Sequence, residues 1–332
     1  MAWDGVLVRF GEIGIKSAPV RGAMLERLRA NLVDGLLRHG VEGDVQRRGA
    51  RLWMQGPDAD ALCRVATMTF GVVSASPCLL VPAKMEGICE AAANLALLSP
   101  WTTFAIRARR EGQHTFSSQD VQVKAGSAVF VAAEAAGRKP KVQLTKPDFE
   151  LHIDVRQDKA YLFTHELDGP GGIPLGTQGK VVLLLSDAAS CVSAWLLMRR
   201  GCRIIPVHAG DTGSVPVDAV ASLARWGMPK DIDLLPVCTG SVSKRVLLEA
   251  ACRVAQRTRC DAVATGETIA SELLMGLPLP ILRPVCGLDA REVAMVGARL
   301  GLEGMDWPAS ILDDASRETV DSITSMHRTV SP

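Results

Sequence analysis

From Gly169 to Cys191 the chain reads GPGGIPLGTQGKVVLLLSDAASC: a Gly- and Pro-dense turn, an apolar strand over Val181–Leu185, and the opening of a helix. A parallel α/β domain binds phosphate at such a strand-to-helix junction, because the first helical N–H groups are unbonded and point at the loop. Here the junction is filled by Ser186, Asp187, Ala188, Ala189, Ser190 and Cys191. It holds no glycine, and Asp187 puts an acid where a phosphate would sit. Side chains at Asp187 and Ala188 restrict a backbone that glycine leaves free. A carboxylate about 4 Å from a phosphate charge repels it by roughly 4 kcal/mol at intermediate dielectric. The setting of a phosphate site is present, and the residues predict that its chemistry is lost. Cys191, at the predicted helix N-terminus where a thiol pKa is lowered, is the one weak candidate nucleophile.

The elements around this junction follow from pattern. Past the Gly/Pro segment come strand Val181–Leu185, helix Ala188–Arg199, strand Arg203–His208, helix Val217–Trp226, strand Leu234–Val237, helix Ser243–Thr258 and strand Asp261–Thr265. Repeated βα units predict a doubly wound parallel sheet with its crevice at the C-terminal ends of the strands. Thr265-Gly266-Glu267 falls at that crevice, with Glu267 read either as a remnant of a nucleotide pocket or as a cap for a following helix. Before the Gly/Pro segment, strand Gly5–Phe10, helix Val20–Arg38, strands Val41–Gln46 and Arg51–Met54, helix Asp58–Thr69 and strand Val72–Leu80 give a βαββαβ order, the ferredoxin-like pattern. Met24, Leu25, Leu28, Leu32 and Leu36 supply the helical stripe. Pro77 and Pro82 mark passage into a second unit. It comprises helix Lys84–Leu98, strand Thr103–Arg109, helix Ser118–Ala136 capped by Ser117 or Ser118, and a hairpin of Phe149–Val155 with Lys159–Thr164.

At 332 residues with 48% apolar content, two or three buried-core domains are expected. No apolar run reaches a membrane span, and Met1-Ala-Trp-Asp lacks the features of a signal peptide, so a cytoplasmic location without a membrane partner is expected. Nine cysteines, without a Cys-x-x-Cys pair, and six scattered histidines predict reduced core thiols, Cys238 and Cys286 among them, and no metal site. No Ser/His/Asp or Cys/His constellation is legible. The net charge of +1 conceals a basic first half and an acidic second half. Arg107 and Arg109 share a face of their strand by alternation. With Arg110, Lys124, Lys139, Lys141 and Lys146 they are read as a surface for phosphates.

Several blocks, in this order and spacing, resemble the tRNA 4-thiouridine synthases, also named ThiI sulfur transferases. They are Arg9-Phe-Gly-Glu-Ile-Gly-Ile-Lys16, Phe104-Ala-Ile-Arg-Ala-Arg-Arg110, Phe116-Ser-Ser118, Pro147-Asp-Phe-Glu-Leu-His-Ile-Asp-Val-Arg156, Gly169–Lys180, Thr265-Gly-Glu267 and Pro280-Ile-Leu-Arg-Pro284. The resemblance runs from the N-terminus to about Leu302. It implies a mixed α/β and α+β chain: a ferredoxin-like domain (1–75), a THUMP RNA-binding domain (76–168), a linker (169–180), a PP-loop ATP-pyrophosphatase-like domain (181–310) and a polar tail (311–332). It implies a tRNA partner, with Lys16 and Arg21 joining the basic residues above in RNA contact. An active member adenylates a uridine carbonyl oxygen with ATP, and a persulfide sulfur then displaces AMP.

This chain departs from that pattern twice. Family members carry Ser-Gly-Gly-x-Asp-Ser after the strand; only Ser186 matches, while Asp187, Ala188, Ser190 and Cys191 replace the glycines, the acid and the last serine. No cysteine follows Cys286, where the family places its sulfur carrier. The expectation is therefore a tRNA-binding THUMP protein with a degenerate PP-loop, without ATP or magnesium as cofactor. Its other partners would be a second copy, a separate tRNA-modifying enzyme or a sulfur donor. The alternative is an active ATP- and magnesium-dependent tRNA sulfurtransferase with an unusual site.

Overall fold

The computed structural model describes residues 3–48, 51–236, 242–269, 271, 274–305, 307, 319–325 and 327–331. By its contacts the chain forms two compact units, one of residues 1–10, 32–67 and 72–169, the other of residues 11–31, 68–71 and 170–332.

The first elements follow the predicted βαββαβ order: β1 (Gly5–Phe10), α1 (Ala18–His39), β2 (Asp44–Arg48), β3 (Arg51–Gln55), α2 (Ala59–Thr67) and β4 (Val72–Pro82). The division between the units falls within α1. Next come α3 (Met85–Ala96), β5 (Thr103–Arg110), α4 (Ser118–Ala135), β6 (Lys141–Val142), β7 (Phe149–Val155), β8 (Lys159–Phe163) and β9 (Leu167–Asp168). The strands make one nine-stranded sheet, ordered β2-β3-β1-β4-β8-β7-β5-β6, with β9 also on β4. β4 joins its two halves, since Val72–Cys78 ladders with β1 and Leu79–Pro82 with β8. Pro77 lies inside this strand, as the expected strand Val72–Leu80 places it. It occupies a stretch of β4 between the residues paired to β9 and those paired to β8, laddered on one edge only, where a proline is tolerated.

Ser117 caps α4: its Oγ accepts from the Asp120 N–H at 3.1 Å, and the Asp120 carboxylate accepts from the Ser117 N–H at 2.7 Å. Val121, Ala125, Val129 and Ala133, four residues apart, then form the buried stripe of α4. They pack with Phe104, Ile106, Leu151 and Ile153 in one core. Alternation therefore sends Arg107 and Arg109 to the other side of β5.

In the second unit the βα repeats appear as predicted: β10 (Gln178–Leu184), α5 (Ala188–Arg199), β11 (Cys202–Ala209), α6 (Val217–Arg225), β12 (Ile232–Leu235), α7 (Lys244–Thr258) and β13 (Ala262–Ala264). β14 (Ile281–Leu282), α8 (Ala290–Leu300), α9 (Val320–Ser325) and β15 (Arg328–Val330) follow. The sheet order is β14-β13-β10-β11-β12-β15, parallel except for β15. β10 lies between β11 and β13, so the strand order reverses beside it and leaves a crevice at its C-terminal end. Phe70, Trp195 and Trp226 meet edge-on or tilted, with ring centroids 5.6–5.7 Å apart, in the core under α5 and α6. The chain end is not simply a polar tail. Ile323 is buried, and β15 pairs antiparallel with β12, covering a sheet edge that would otherwise present unpaired backbone.

Candidate functional site

The loop after β10 is closed by its own side chains. Asp187 is the N-cap of α5, and its Oδ1 accepts from the Ser190 N–H at 2.7 Å. The Ser190 Oγ accepts from the N–H groups of Asp187 and Ser186, each at 3.1 Å, and donates to the Asp187 carbonyl at 2.6 Å. Three amides that could face an anion are thereby satisfied from within, and a carboxylate occupies the helix N-terminus, where the macrodipole favours it. Gly266, at the end of β13, makes this closure sterically feasible: a Cβ there would lie 2.3 Å from the Ser190 nitrogen and 2.7 Å from Asp187 Oδ1. Ala188 opens the helix, and Ser193 ties it to β13 by donating to the Thr265 carbonyl at 2.9 Å.

Cys191 lacks the setting of an activated thiol. It is fully buried, and burial, reinforced by the Asp187 charge, pushes its thiol pKa up rather than down. The helix N-terminus cannot offset that desolvation. Among the described residues Glu267 caps no helix: its carboxylate bridges Lys244 Nζ at 2.6 Å and the Arg283 guanidinium at 2.9 Å. Cys286, expected in the core, is exposed, and Cys238 lies outside the described residues.

The loop after β10 and Glu267 border a cavity of about 740 Å³ whose walls include Leu184, Ser186, Asp187, His208, Ser214, Lys244, Leu247, Glu267 and Trp307. His208 and Ser214 were missed by sequence reasoning. The ring and the hydroxyl meet only because a short turn after β11 brings residue 214 back over the strand end, with Ser214 Oγ 3.0 Å from His208 Nε2. The one signal available was a histidine at the C-terminal end of a parallel strand. At the head of α5 the amides of Ser186, Asp187 and Ser190 are bonded within the loop and Asp187 adds a negative charge, a poor fit to the phosphates of ATP.

The first unit carries a different site. Arg107 and Arg109 share a cleft of about 300 Å³ with Arg9 and Arg51, alongside Glu150, His152, Asp154, Phe163 and Glu166. Arg9, in β1, reaches the Ser76 hydroxyl at 3.0 Å, lies 3.7 Å from Glu166 and stacks 4.4 Å above the Phe163 ring. Burial lowers its pKa from the ordinary arginine value, with Glu166 opposing the shift. Arg107 pairs with Glu150 at 2.5 Å, and Arg51 lies 3.9 Å from Asp154. Burial raises the Asp154 pKa, and Arg51 and Arg9 oppose the rise. The His152 ring is stacked on Phe163, 5.1 Å between centroids and 7° from parallel; burial lowers its pKa and Glu150 opposes. The Arg109 side chain makes no hydrogen bond or ion pair among the described residues, so its guanidinium can take a ligand without breaking one.

The remaining basic residues do not line this cleft. Arg110 is exposed and donates to the Gly112 carbonyl at 2.6 Å. Lys124, Lys139, Lys141 and Lys146 lie on or near α4 and β6, outside the cleft wall. Lys16 and Arg21 are exposed in the second unit. Sequence reasoning missed Arg9 and Arg51 as cleft residues, since each reaches it from a strand distant in the chain from β5.

Comparison with known proteins adds names to this geometry. The "ThiI ferredoxin-like domain" family matches residues 5–76, the "THUMP domain" family residues 83–165, and "Thiamine biosynthesis protein (ThiI)" residues 176–222. A probable tRNA sulfurtransferase of Methanosarcina acetivorans is 32% identical, the match covering 89% of this chain and 81% of the relative. One from Halobacterium salinarum is 34% identical, covering 87% and 82%. Among solved structures, PH1313 from Pyrococcus horikoshii is 26% identical with a TM-score of 0.72, covering 90% of this chain and 99% of that one. A 4-thiouridine synthetase solved as an RNA complex with bound ATP is 21% identical with a TM-score of 0.78, covering 99% of each chain, and shares the fold.

Proposed function

The chain belongs to the ThiI family of tRNA sulfurtransferases, and from that premise we propose that it binds tRNA while lacking autonomous ATP-dependent sulfur transfer. One observation carries the second half of this reading: the Asp187–Ser190 capping box, which engages the amides of Ser186, Asp187 and Ser190 and places a carboxylate at the head of α5. A polyphosphate would have to break the Ser190 N–H bond and expel the Asp187 carboxylate before gaining a foothold. A family member that adenylates tRNA needs those amides at the phosphate and a thiol that ionises. Cys191 supplies neither exposure nor acidity, and the exposed Cys286 is not among the residues of the cavity wall.

The first half rests on the cleft. Four guanidiniums face three carboxylates there, and Arg109 has no competing ion pair among the described residues. A phosphate entering the cleft replaces the long ion pairs of Arg9 and Arg51 with bidentate contacts, which arginine makes well. Phe163 and His152 offer a stacked aromatic surface beside these charges. Phosphate contacts of this kind position RNA by backbone and shape more than by base.

The test is calorimetric titration of ATP and magnesium into the full chain, alone and with saturating tRNA, beside a radiolabelled assay for AMP release. The expected outcome is salt-sensitive tRNA binding, no heat of ATP binding and no tRNA-dependent AMP. Micromolar ATP affinity together with a thiolated tRNA product would establish instead the active sulfurtransferase that the relatives' names describe.

A further inference from the structure

The cavity of the second unit contains a pair of groups that neither its phosphate loop nor RNA binding uses. We propose that Ser214 and His208 form a nucleophile–base dyad that cleaves small uncharged carboxylic esters in this cavity.

The proton positions follow from the partners. His208 Nδ1 lies 2.9 Å from the Leu185 carbonyl oxygen. A carbonyl can only accept, so Nδ1 carries the hydrogen, and in the neutral ring Nε2 presents its lone pair. That lone pair is 3.0 Å from Ser214 Oγ, whose single hydrogen is shared between it and the Asp211 carbonyl and passes to Nε2 in the reacting geometry. The ring is 2% exposed, and its burial lowers the histidine pKa, which keeps it a neutral base near pH 7. The Leu185 carbonyl and the Asp211 charge oppose that shift and so stabilise the imidazolium once it forms. A nucleophile bonded to a base, and the base oriented by a third group, is the arrangement nucleophilic catalysis needs.

The surroundings hold the pair in register. Asp211 Oδ1 accepts from the Ser214 N–H at 2.8 Å, locking the short turn. The Asp211 carbonyl lies 2.9 Å from the same Oγ, giving the hydroxyl a resting acceptor besides His208. Gly210 has φ +142°, and a Cβ there would lie 2.4 Å from Ser214 Oγ and 3.2 Å from His208 Nε2. The close approach of turn and strand therefore requires glycine. Ser214 is only half-buried, so its hydroxyl is reachable from the cavity.

The cavity selects the substrate class. Its volume of about 740 Å³ accommodates a small organic molecule. Leu184, Leu247, Leu248 and Trp307 supply apolar wall, while Asp187 disfavours anions. Lys244, paired with Glu267, is a cationic side chain on the same wall. In the proposed step Ser214 Oγ attacks the ester carbonyl carbon and its proton passes to His208 Nε2. The tetrahedral intermediate expels the alkoxide, which takes that proton and leaves as the alcohol. Water then attacks the acyl-Ser214 carbonyl, gives its proton to His208, and the acid departs as Ser214 recovers its hydrogen.

The experiment treats the full chain with a fluorophosphonate probe, locates the adduct by peptide mass spectrometry, and follows p-nitrophenyl butyrate hydrolysis. The expected result is one adduct, on Ser214, with hydrolysis abolished in Ser214→Ala and labelling slowed about 100-fold in His208→Gln. The labelling rate of the unsubstituted chain should be level above about pH 6.5 and fall at lower pH as His208 protonates. This profile needs no variant, so it decides the matter even if His208→Gln unfolds. No adduct on Ser214, or labelling that is unaffected by both acid and the loss of His208, overturns the proposal.

Discussion

The cleft of the first unit and the loop of the second both gather groups suited to an anion, and they differ in whether those groups are already engaged. In the cleft, the carboxylates facing Arg9 and Arg51 stand 3.7 and 3.9 Å away, and the Arg109 side chain is without a hydrogen bond or ion pair among the described residues. In the loop, each of three amides is bonded at 2.7–3.1 Å to a side chain four residues away or less. Anion binding requires donors whose present partners are weaker than the incoming ligand. By that measure Arg9, Arg51 and Arg109 are less committed than the amides of Ser186, Asp187 and Ser190, although sequence context alone makes the loop look like the phosphate site.

The most damaging way to disturb the contrast is at Gly266. A methyl group there meets the Ser190 nitrogen and Asp187 Oδ1 well inside van der Waals distance, and both belong to a tightly bonded turn. Gly266→Ala should cost about 1–3 kcal/mol in urea unfolding, the range for an overpacked site. Folded Gly266→Ala should keep its tRNA affinity, because the cleft lies in the other unit. A neutral effect on stability would mean that the loop is soft, and a soft loop could still open for ATP.

The cleft is sharpened by removing its donors. Arg107→Ala/Arg109→Ala should weaken tRNA binding by about tenfold and lower the slope of log affinity against log salt by about 1 for each phosphate left without its arginine. Removal of Arg107 also leaves Glu150 with only the His152 ring, 3.9 Å away, among the ion pairs of the described residues, and so a carboxylate to repel the backbone. If affinity and slope are both unchanged in filter binding, tRNA is held elsewhere, and Lys124, Lys141 and Lys146 become the surface to test.

A milder change asks whether the acid alone closes the loop. Asp187→Ala removes the cap of α5 and should cost about 1 kcal/mol. The Ser190 hydroxyl still holds the backbone amides of residues 186 and 187 in that variant, so calorimetry should detect no ATP binding. The appearance of ATP affinity would assign the loss of chemistry to charge alone and make the remaining loop geometry competent.

How much of this was legible in the sequence follows the range of the interactions. The cap at Ser117, the shared face of Arg107 and Arg109, and the run of βα units depend on neighbours a few residues apart, and pattern revealed them. The acid at Asp187 was visible too, but its capture of the Ser190 amide was not, because that bond depends on the turn geometry and on Gly266 arriving from another strand. Arg9 and Arg51 join the cleft only through sheet order, which brings β1 and β3 into line with β5 across β4, β8 and β7. Cys286 was read as a core residue from its type, whereas the loop after β14 leaves it exposed.

The smallest expected effect separates the two units by their histidines. His152 and His208 both have pKa values lowered by burial, so each favours the folded state above the ordinary histidine pKa near 6.5, and that contribution is lost as pH falls through the lowered value. Their response to tRNA should differ. His152 lines the cleft among Glu150, Glu166, Arg9 and Arg107, so a phosphate bound there adds negative charge and favours its protonated form. Binding and protonation are then linked: tRNA affinity at fixed salt should rise modestly between about pH 7.5 and 5.5, and His152→Gln should flatten that rise. His208 lies outside the cleft, so His208→Gln should leave the pH dependence of tRNA binding as it is. Equal slopes in the unsubstituted chain and His152→Gln would place the bound phosphates away from this ring, and the cleft would then be a structural ion-pair network rather than a grip on RNA.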